Sequence, residues 1–314
     1  MSSLHVVRDD DTSFFGLIGT HPAMLALFDG IRRAASIEAP VVVSGPTGSG
    51  KELVARALHR LNGTRGGPFC PVNVAALPEG LVESELFGST RGAFTSAVAD
   101  RRGLIEAAAG GTLLLDEASD LPAGIQAKLL RVLEDGEIRR VGAAGTITAR
   151  FRLVVAVQDD PAALRDLRHW RDDFYYRVTG ILLRVPALAD RASDIPLLAR
   201  AFVRAQGLPH VEPEGMTLLE RHTFRGNVRE LQQTLIRATY HARGGMIDAE
   251  AICAALEDGG SSRPMAGVRS LREVRTDHVR SAVDACCGDT QQAAALLGIS
   301  RSQVYRILAA AGAP

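Results

Sequence analysis

Short apolar runs alternate with longer stretches of helical periodicity over the first half of the chain. The runs Val41–Val43, Phe69–Val72, Thr112–Leu115, Leu153–Val157 and Ile181–Val185 read as buried strands, rich in β-branched and aliphatic residues and too short for helices. Between them, His21–Ser36, Lys51–Leu61, Pro78–Phe87, Gly124–Glu134 and Pro161–Leu167 carry apolar residues at helical spacing. Strand and helix in strict alternation predict an α/β unit with a parallel sheet covered by helices on its faces. After Pro186 the strand signals stop, and residues 187–256 read as helices only, including Asp194–Gln206 and Asn227–Arg243. A Gly- and Ser-rich stretch beginning at Glu257 and reaching Pro264 reads as a linker. Three short helical patterns close the chain. The predicted division is a tail over 1–16, an α/β unit over 17–186, a helical unit over 187–256, a linker over 257–268 and a small all-α unit over 269–314. There is no internal repeat.

Composition narrows the field. With 314 residues and 46% hydrophobic content the chain can bury a sizeable core. Lys+Arg and Asp+Glu both total 36, so net charge draws it to no partner, but the part after residue 260 carries seven Arg against four acidic residues. That local excess is a weak sign of a nucleic-acid module. The start of the chain has an Asp9-Asp10-Asp11 run where a signal peptide would be basic and then apolar, and no apolar stretch is long enough to span a membrane. Cys70, Cys253, Cys286 and Cys287 form no CxxC pair, and the eight His show no ligand spacing. A reduced, cytoplasmic protein without structural zinc is expected.

The first motif with chemistry in it is Val41-Val-Val-Ser-Gly45-Pro46-Thr47-Gly48-Ser49-Gly50-Lys51-Glu52. An apolar strand, a Gly-rich turn and a helix start match G-x-x-x-x-G-K in the context that gives it meaning. The glycines let backbone N–H groups converge on phosphate oxygens, and the helix N-terminus adds its dipole. Only Lys51 and Lys128 are Lys in this chain, so a lysine here suits a role that needs a compact charge. Glu52 stands where a Ser or Thr hydroxyl usually meets Mg²⁺. The second motif, Gly110-Gly-Thr-Leu-Leu-Leu-Asp116-Glu117, is a buried strand ending in two carboxylates. Asp116 suits Mg²⁺ and Glu117 the orientation and deprotonation of an attacking water. The plainer reading of each is a tight strand–helix turn and an acidic helix cap.

The Gly-Lys-Glu-Leu ending of the first motif resembles the AAA+ ATPases that activate sigma-54 RNA polymerase, the bacterial enhancer-binding proteins, in which Glu follows the P-loop Lys. The resemblance runs from Leu17 almost to the C-terminus. It implies an AAA+ P-loop ATPase fold, a parallel sheet sandwiched by helices, with a helical lid and then a small helix-turn-helix domain. It also implies ATP at residues 45–52, with Gln158 and Arg229, and Mg²⁺ at Asp116. Asp116 and Glu117 become the Walker B pair, and Asn73 the residue that holds the catalytic Glu in check. In Trp170-Arg171-Asp-Asp-Phe-Tyr-Tyr-Arg177 it implies two arginine fingers, Arg171 and Arg177, on different faces of one helix and directed at a neighbouring subunit's ATP. In Phe224-Arg-Gly-Asn-Val-Arg229-Glu-Leu it implies a lid motif with Arg229 as sensor II, although Phe224-Arg225 replaces the usual Trp-Pro. The sensor I pair, usually Thr-Asn, is Val157-Gln158. Gln158 keeps an amide able to reach phosphate or water, and slower or differently coupled hydrolysis is expected.

Gly92-Ala93-Phe94-Thr95-Ser96-Ala97 resembles the family's G-A-F-T-G-A loop, which grips sigma-54, with Ser96 in place of Gly. At the C-terminus, Leu271, Val274, His278 and Ala282 predict a first amphipathic helix. Asp289 or Thr290 then caps a helix with Ala294 and Leu297 facing inward, and Ser300 caps another held by Val304, Ile307 and Leu308. Arg301, Ser302, Gln303, Tyr305 and Arg306 are left to meet DNA. This part resembles a Fis-type helix-turn-helix. The implied protein is an ATP-hydrolysing, DNA-tethered activator working as a ring, homomeric (a hexamer by resemblance) or shared with a related subunit, that converts sigma-54 RNA polymerase closed complexes into open ones. No receiver or ligand-sensing domain precedes the ATPase resemblance, so control by a trans-acting regulator, expression level or a mixed ring is expected. Two rivals remain: a regulator acting with a different sigma factor, for which Ser96 speaks, and a DNA-loading ATPase, which has no use for Phe94-Thr95.

Overall fold

The computed structural model describes residues 13–62, 66–93, 99–166, 169–242 and 245–259, with 279, 283, 290–297 and 304 beyond them. Two compact units divide the chain between Ser261 and Ser262.

In the first unit the elements follow in order: β1 (Ser13–Phe14), β2 (Leu17–Ile18), α1 (Pro22–Ala35), β3 (Val41–Ser44), α2 (Lys51–Leu61), β4 (Phe69–Asn73), α3 (Val82–Phe87), β5 (Gly88–Ser89), β6 (Arg101–Arg102), α4 (Leu104–Ala107), β7 (Thr112–Asp116), α5 (Ala123–Asp135), β8 (Glu137–Ile138), β9 (Ile147–Thr148), β10 (Arg152–Val157), α6 (Pro161–Asp166), α7 (Asp172–Val178) and β11 (Ile181–Arg184). The helices α8 (Ile195–Gln206), α9 (Pro213–Arg221), α10 (Asn227–His241) and α11 (Ala249–Asp258) complete it.

Five strands form one parallel sheet in the order β11-β3-β10-β7-β4. The near-continuous apolar runs of the inner strands β3, β10 and β7 follow from burial on both faces. Val41 and Val43 pack with α1 and α2 on one side, and Leu113, Leu115 and Val155 pack with α3, α5 and α7 on the other. The helical segment has its own core, built by Leu198, Leu219, Leu231, Leu235, Ile247 and Ile252. The C-termini of the five parallel strands point to one edge, where the glycine-rich turn after β3, Asn73, the Asp116-Glu117 pair and Gln158 lie.

Three expectations shift. The tail does not extend to residue 16: Ser13–Phe14 pairs antiparallel with Leu17–Ile18, because Phe14 stacks on Phe28 at 5.0 Å and lies under the Arg32 guanidinium. Pro78–Phe87 is not one helix; a 3-10 turn over Glu79–Leu81 precedes α3. The linker starts later than Glu257, since α11 runs to Asp258 and closes on Gly259.

In the second unit the described helix is Thr290–Leu297. Ala294 and Val304 are buried with Val279, and Leu297 packs beside them, as the helix spacing predicts. The first helix presents Val279 and Val283 to this core; of the predicted stripe, Leu271, Val274, His278 and Ala282 lie outside the described residues, and so do Ile307 and Leu308.

Candidate nucleotide site

The edge is built from three strand exits. β3 leads into the glycine-rich turn and α2, β7 ends in Asp116-Glu117, and β10, hydrogen-bonded to both β3 and β7, ends at Val157 beside them. This order places residue 158 between the turn and the carboxylates.

In the turn, Gly50 is the N-cap of α2 with φ 109°, a conformation closed to most side chains. Lys51 is 6% exposed, and its Nζ donates to the carbonyls of Gly45 at 2.8 Å and Pro46 at 3.4 Å. Burial pushes the Lys51 ammonium below its ordinary range, opposed by the charges of Glu117 and then Asp116, while Arg229 adds to the depression. Three charged groups therefore act on Lys51 at the mouth of the turn. Ser49 is buried, and its Oγ has no hydrogen-bond partner among the described residues. Glu52 faces away, gripped by Arg56 one helical turn on.

Burial pushes the Asp116 carboxyl up, offset by the Glu117 N–H that donates to its Oδ1 at 3.0 Å. Glu117 stands in left-handed backbone, φ 53° and ψ 44°, uncommon for a non-glycine residue and concentrated at functional positions. Its Oε2 accepts from Gln158 Nε2 at 2.8 Å. Asn73 is the register partner of Asp116, but its Oδ1 accepts the Ala76 N–H, capping the 3-10 turn Val74–Ala76.

The lid reaches the same mouth through the start of α10. The Arg229 N–H donates to the Gly48 carbonyl at 3.3 Å, and a Cβ on Gly48 would stand 2.3 Å from the Gly226 carbonyl oxygen. Gly48, at φ 76°, therefore permits a backbone-to-backbone approach that any side chain would block. Asn227, buried and at φ 56°, bridges the two parts: its Oδ1 accepts the Leu188 N–H and its Nδ2 donates to the Thr47 carbonyl. Buried Arg191 donates to the Ser49 carbonyl, and Asp194 accepts from Thr20 and His21.

The finger segment is elsewhere. Arg171 is not in a helix with Arg177 but is the extended N-cap before α7, fixed by its N–H to Gln126 Oε1. Its guanidinium pairs with Asp173 through two bonds of 3.0 and 2.8 Å, and Arg177 donates to the Leu133 carbonyl. No hydrogen bond or ion pair among the described residues joins either Arg to Lys51, Asp116 or Glu117. Trp170, 1% exposed, donates its indole N–H to the Ala118 carbonyl, one residue past Glu117.

Gly92 and Ala93 are described at the start of their loop; Phe94, Thr95, Ser96 and Ala97 lie outside the described residues, as do Arg301, Ser302, Gln303, Tyr305 and Arg306. The loop's base is defined: β5 pairs with β6, Thr90 N donates to the Val141 carbonyl, and Arg140 clamps Glu106 through both nitrogens.

Gln126, Arg191 and Asp194 carry this geometry outside every motif of the sequence, and Asn227 and Trp170 lie inside motifs that single out their arginines instead. Only the placement of Asn227 after a glycine at a helix start, where left-handed backbone favours Asn, could have singled one out.

The donor set suits a polyanion: inward-turned backbone, Lys51 and Arg229. Among the described residues no group of three or more His, Cys, Asp or Glu could hold a metal by itself. Asp116 as a single carboxylate fits Mg²⁺, which takes most of its ligands from phosphate and water.

Residues 17–184 match the Sigma-54 interaction domain and residues 189–267 the AAA+ ATPase lid domain. The chain is 39% identical over 302 residues to the Nif-specific regulatory protein of Azotobacter vinelandii, covering 93% of this chain and 58% of that protein. It is 38% identical to the response regulator protein PilR of Pseudomonas aeruginosa, covering 93% of this chain and 68% of that one. A crystal structure of NtrX from Brucella abortus in complex with ADP superposes with a TM-score of 0.71 at 31% identity, over 95% of this chain and 70% of that one.

Proposed function

The chain belongs to the Sigma-54 interaction family of AAA+ ATPases, and on that premise we propose that it hydrolyses ATP to drive sigma-54 RNA polymerase from closed to open promoter complexes. The observation that carries the reading is the meeting of elements at one edge: β3 leads into the glycine-rich turn and Lys51, β7 ends in Asp116-Glu117 on the other side of β10, and the Arg229 N–H reaches the Gly48 carbonyl from the lid. Backbone N–H groups of Thr47, Gly48 and Gly50 and the Lys51 Nζ bind the phosphates, with the lysine leaving the Gly45 and Pro46 carbonyls to do so. Arg229 approaches from the lid. Asp116 holds Mg²⁺, which when bound neutralises phosphate charge. Glu117 is the base for the attacking water. The relative crystallised with ADP supports a nucleotide at this fold's site.

Arg171 and Arg177, held by Asp173 and by the Leu133 carbonyl within their own protomer, serve a neighbour's site in a ring, by resemblance a hexamer. The loop at Gly92–Ala97, carried on β5 and β6, meets sigma-54. Residues 269–314 form the helix-turn-helix, with Arg301, Ser302, Gln303, Tyr305 and Arg306 on duplex DNA. Transcription control of this kind places the protein in the cytoplasm, and no helix among the described residues is long and apolar enough to cross a membrane.

The test is Glu117→Gln in the full chain. ATP binding is retained and turnover falls at least a hundredfold, the scale of general-base catalysis (~10²–10⁴); normal turnover contradicts the assignment. A pull-down of sigma-54 with an ATP transition-state analogue tests the partner. Capture of a different sigma factor instead, the outcome Ser96 would favour, removes sigma-54 from the reading and leaves the ATPase standing.

A further inference from the structure

We propose that Gln126 and Trp170 are the positioning residues of the Arg171 finger: they hold the backbone from which it reaches a neighbour's nucleotide, and they join that backbone to the turn after Glu117. The inference rests on Arg171 acting in trans.

Burial supplies the first argument. Gln126 sits near the start of α5 and is fully buried, a place that an apolar side chain would fill with no polar atoms to satisfy. Its amide is used at both ends. Nε2 donates to the Leu121 carbonyl at 2.7 Å and to the His169 carbonyl at 2.8 Å, and Oε1 accepts the Arg171 N–H at 2.9 Å. Two carbonyls need the NH2 and one N–H needs the oxygen, so neither a carboxylate nor a thioether of the same length can replace it.

The second argument is what these bonds join. Leu121 closes the 3-10 turn Ala118–Asp120 that begins at Glu117, while His169 and Arg171 flank Trp170. The indole N–H of Trp170 reaches the Ala118 carbonyl at 3.1 Å. Two independent side chains thus tie residues 169–171 to residues 118–121. Phe174, fully buried in α7, packs edge-on against the indole at 5.4 Å and closes the joint from the other side. The turn after one site's base and the turn bearing the next site's finger are one block.

Third, the guanidinium is held differently from its backbone. The Arg171 N–H is fixed from the core, whereas the head pairs with exposed Asp173, a contact that water screens. A fixed origin with a releasable head suits a residue that works across an interface. Arg177 leaves from within α7 and donates to the Leu133 carbonyl instead.

Two variants of the full chain test this. Gln126→Met keeps the side-chain length and removes donor and acceptor; Trp170→Phe keeps a ring against Phe174 and removes the indole N–H. In the first, kcat falls about a hundredfold, the cost of a reacting group misplaced by about 1 Å. In the second it falls about fivefold, the scale of one neutral hydrogen bond. Complementation supplies the readout that a merely structural role would not move. Each variant keeps its own base, so mixing with Glu117→Gln, which brings intact fingers, raises hydrolysis per intact base. Mixing with the double variant Arg171→Ala and Arg177→Ala, which brings none, does not. Wild-type turnover in either variant, rescue by the finger-less partner, or a co-assembled mixture with Glu117→Gln that gains nothing overturns the proposal. If Gln126→Met does not assemble, Trp170→Phe decides by the same criteria. Failure of the underlying reading is separate: Glu117→Gln and the finger-less variant would then not complement each other.

Discussion

Lys51 carries its charge into a place where burial opposes it. A polyphosphate arriving at the turn reverses that balance, because the ammonium gains an anion at close range. The depressed lysine of the free protein then takes back its full charge. The sign follows: raising pH from neutrality empties the free lysine of its proton before the ordinary lysine range is reached, so ATP binding weakens with rising pH and takes up protons. Calorimetry in buffers of differing ionisation enthalpy checks this, and a binding enthalpy independent of buffer contradicts it. Lys51→Ala removes the charge altogether and should abolish detectable nucleotide binding while the fold remains. At this scale the motifs were legible: Lys51, Asp116 and Glu117 are marked by spacing and by the strands that precede them. The Gln158–Glu117 bond was not, because which of several groups an amide chooses depends on strand order in space, which the linear chain does not display.

The elements that position the site were legible in unequal measure. All five strands of the parallel sheet fall within a residue or so of their apolar runs, most firmly the central β3, β7 and β10, where burial on both faces leaves almost no other residues for those positions. The two-residue pairs β5–β6 and β8–β9 escaped notice because they are held by backbone bonds and by the Arg140–Glu106 clamp, not by an apolar pattern. The same holds for the contact between turn and lid, which rests on Gly48, Asn227 and Arg229. Asn227 separates two effects there. Asn227→Gly keeps left-handed backbone and loses all three side-chain bonds, to Leu188, Thr47 and Arg225, leaving the buried Leu188 N–H unpaired, at a cost of about 1–3 kcal/mol. Asn227→Ala loses the same bonds and adds left-handed strain of about 1–2 kcal/mol. Thermal unfolding should therefore rank wild type above Gly above Ala. Equal melting of Gly and Ala would mean that the backbone at 227 relaxes freely. Gly48→Ala, which sets a methyl against the Gly226 carbonyl, is expected to weaken ATP affinity by displacing the lid from the turn.

For the whole molecule the reading joins three capacities: nucleotide chemistry, an assembly that completes it, and a DNA tether. The tether is tested by Arg306→Ala, which should reduce DNA binding and leave ATPase activity unaltered; parallel loss of both would assign the tail a structural part. Assembly is tested by the fingers. The sequence resemblance placed Arg171 and Arg177 on one helix, whereas Arg171 precedes α7 as its cap, so the two guanidinium groups leave the surface from different backbone environments and are free to do different work on a neighbour. Each is held at home by an exposed contact, an ion pair for Arg171 and a hydrogen bond to a backbone carbonyl for Arg177, which solvent screens and a neighbour's phosphate can displace. The most direct measurement mixes two inactive full-length variants, Glu117→Gln, which keeps its fingers, and the double variant Arg171→Ala with Arg177→Ala, which keeps its base. If ATP is cut at sites shared between protomers, the mixture hydrolyses ATP although neither variant does so alone. A mixture that co-assembles and remains inactive would contradict the account.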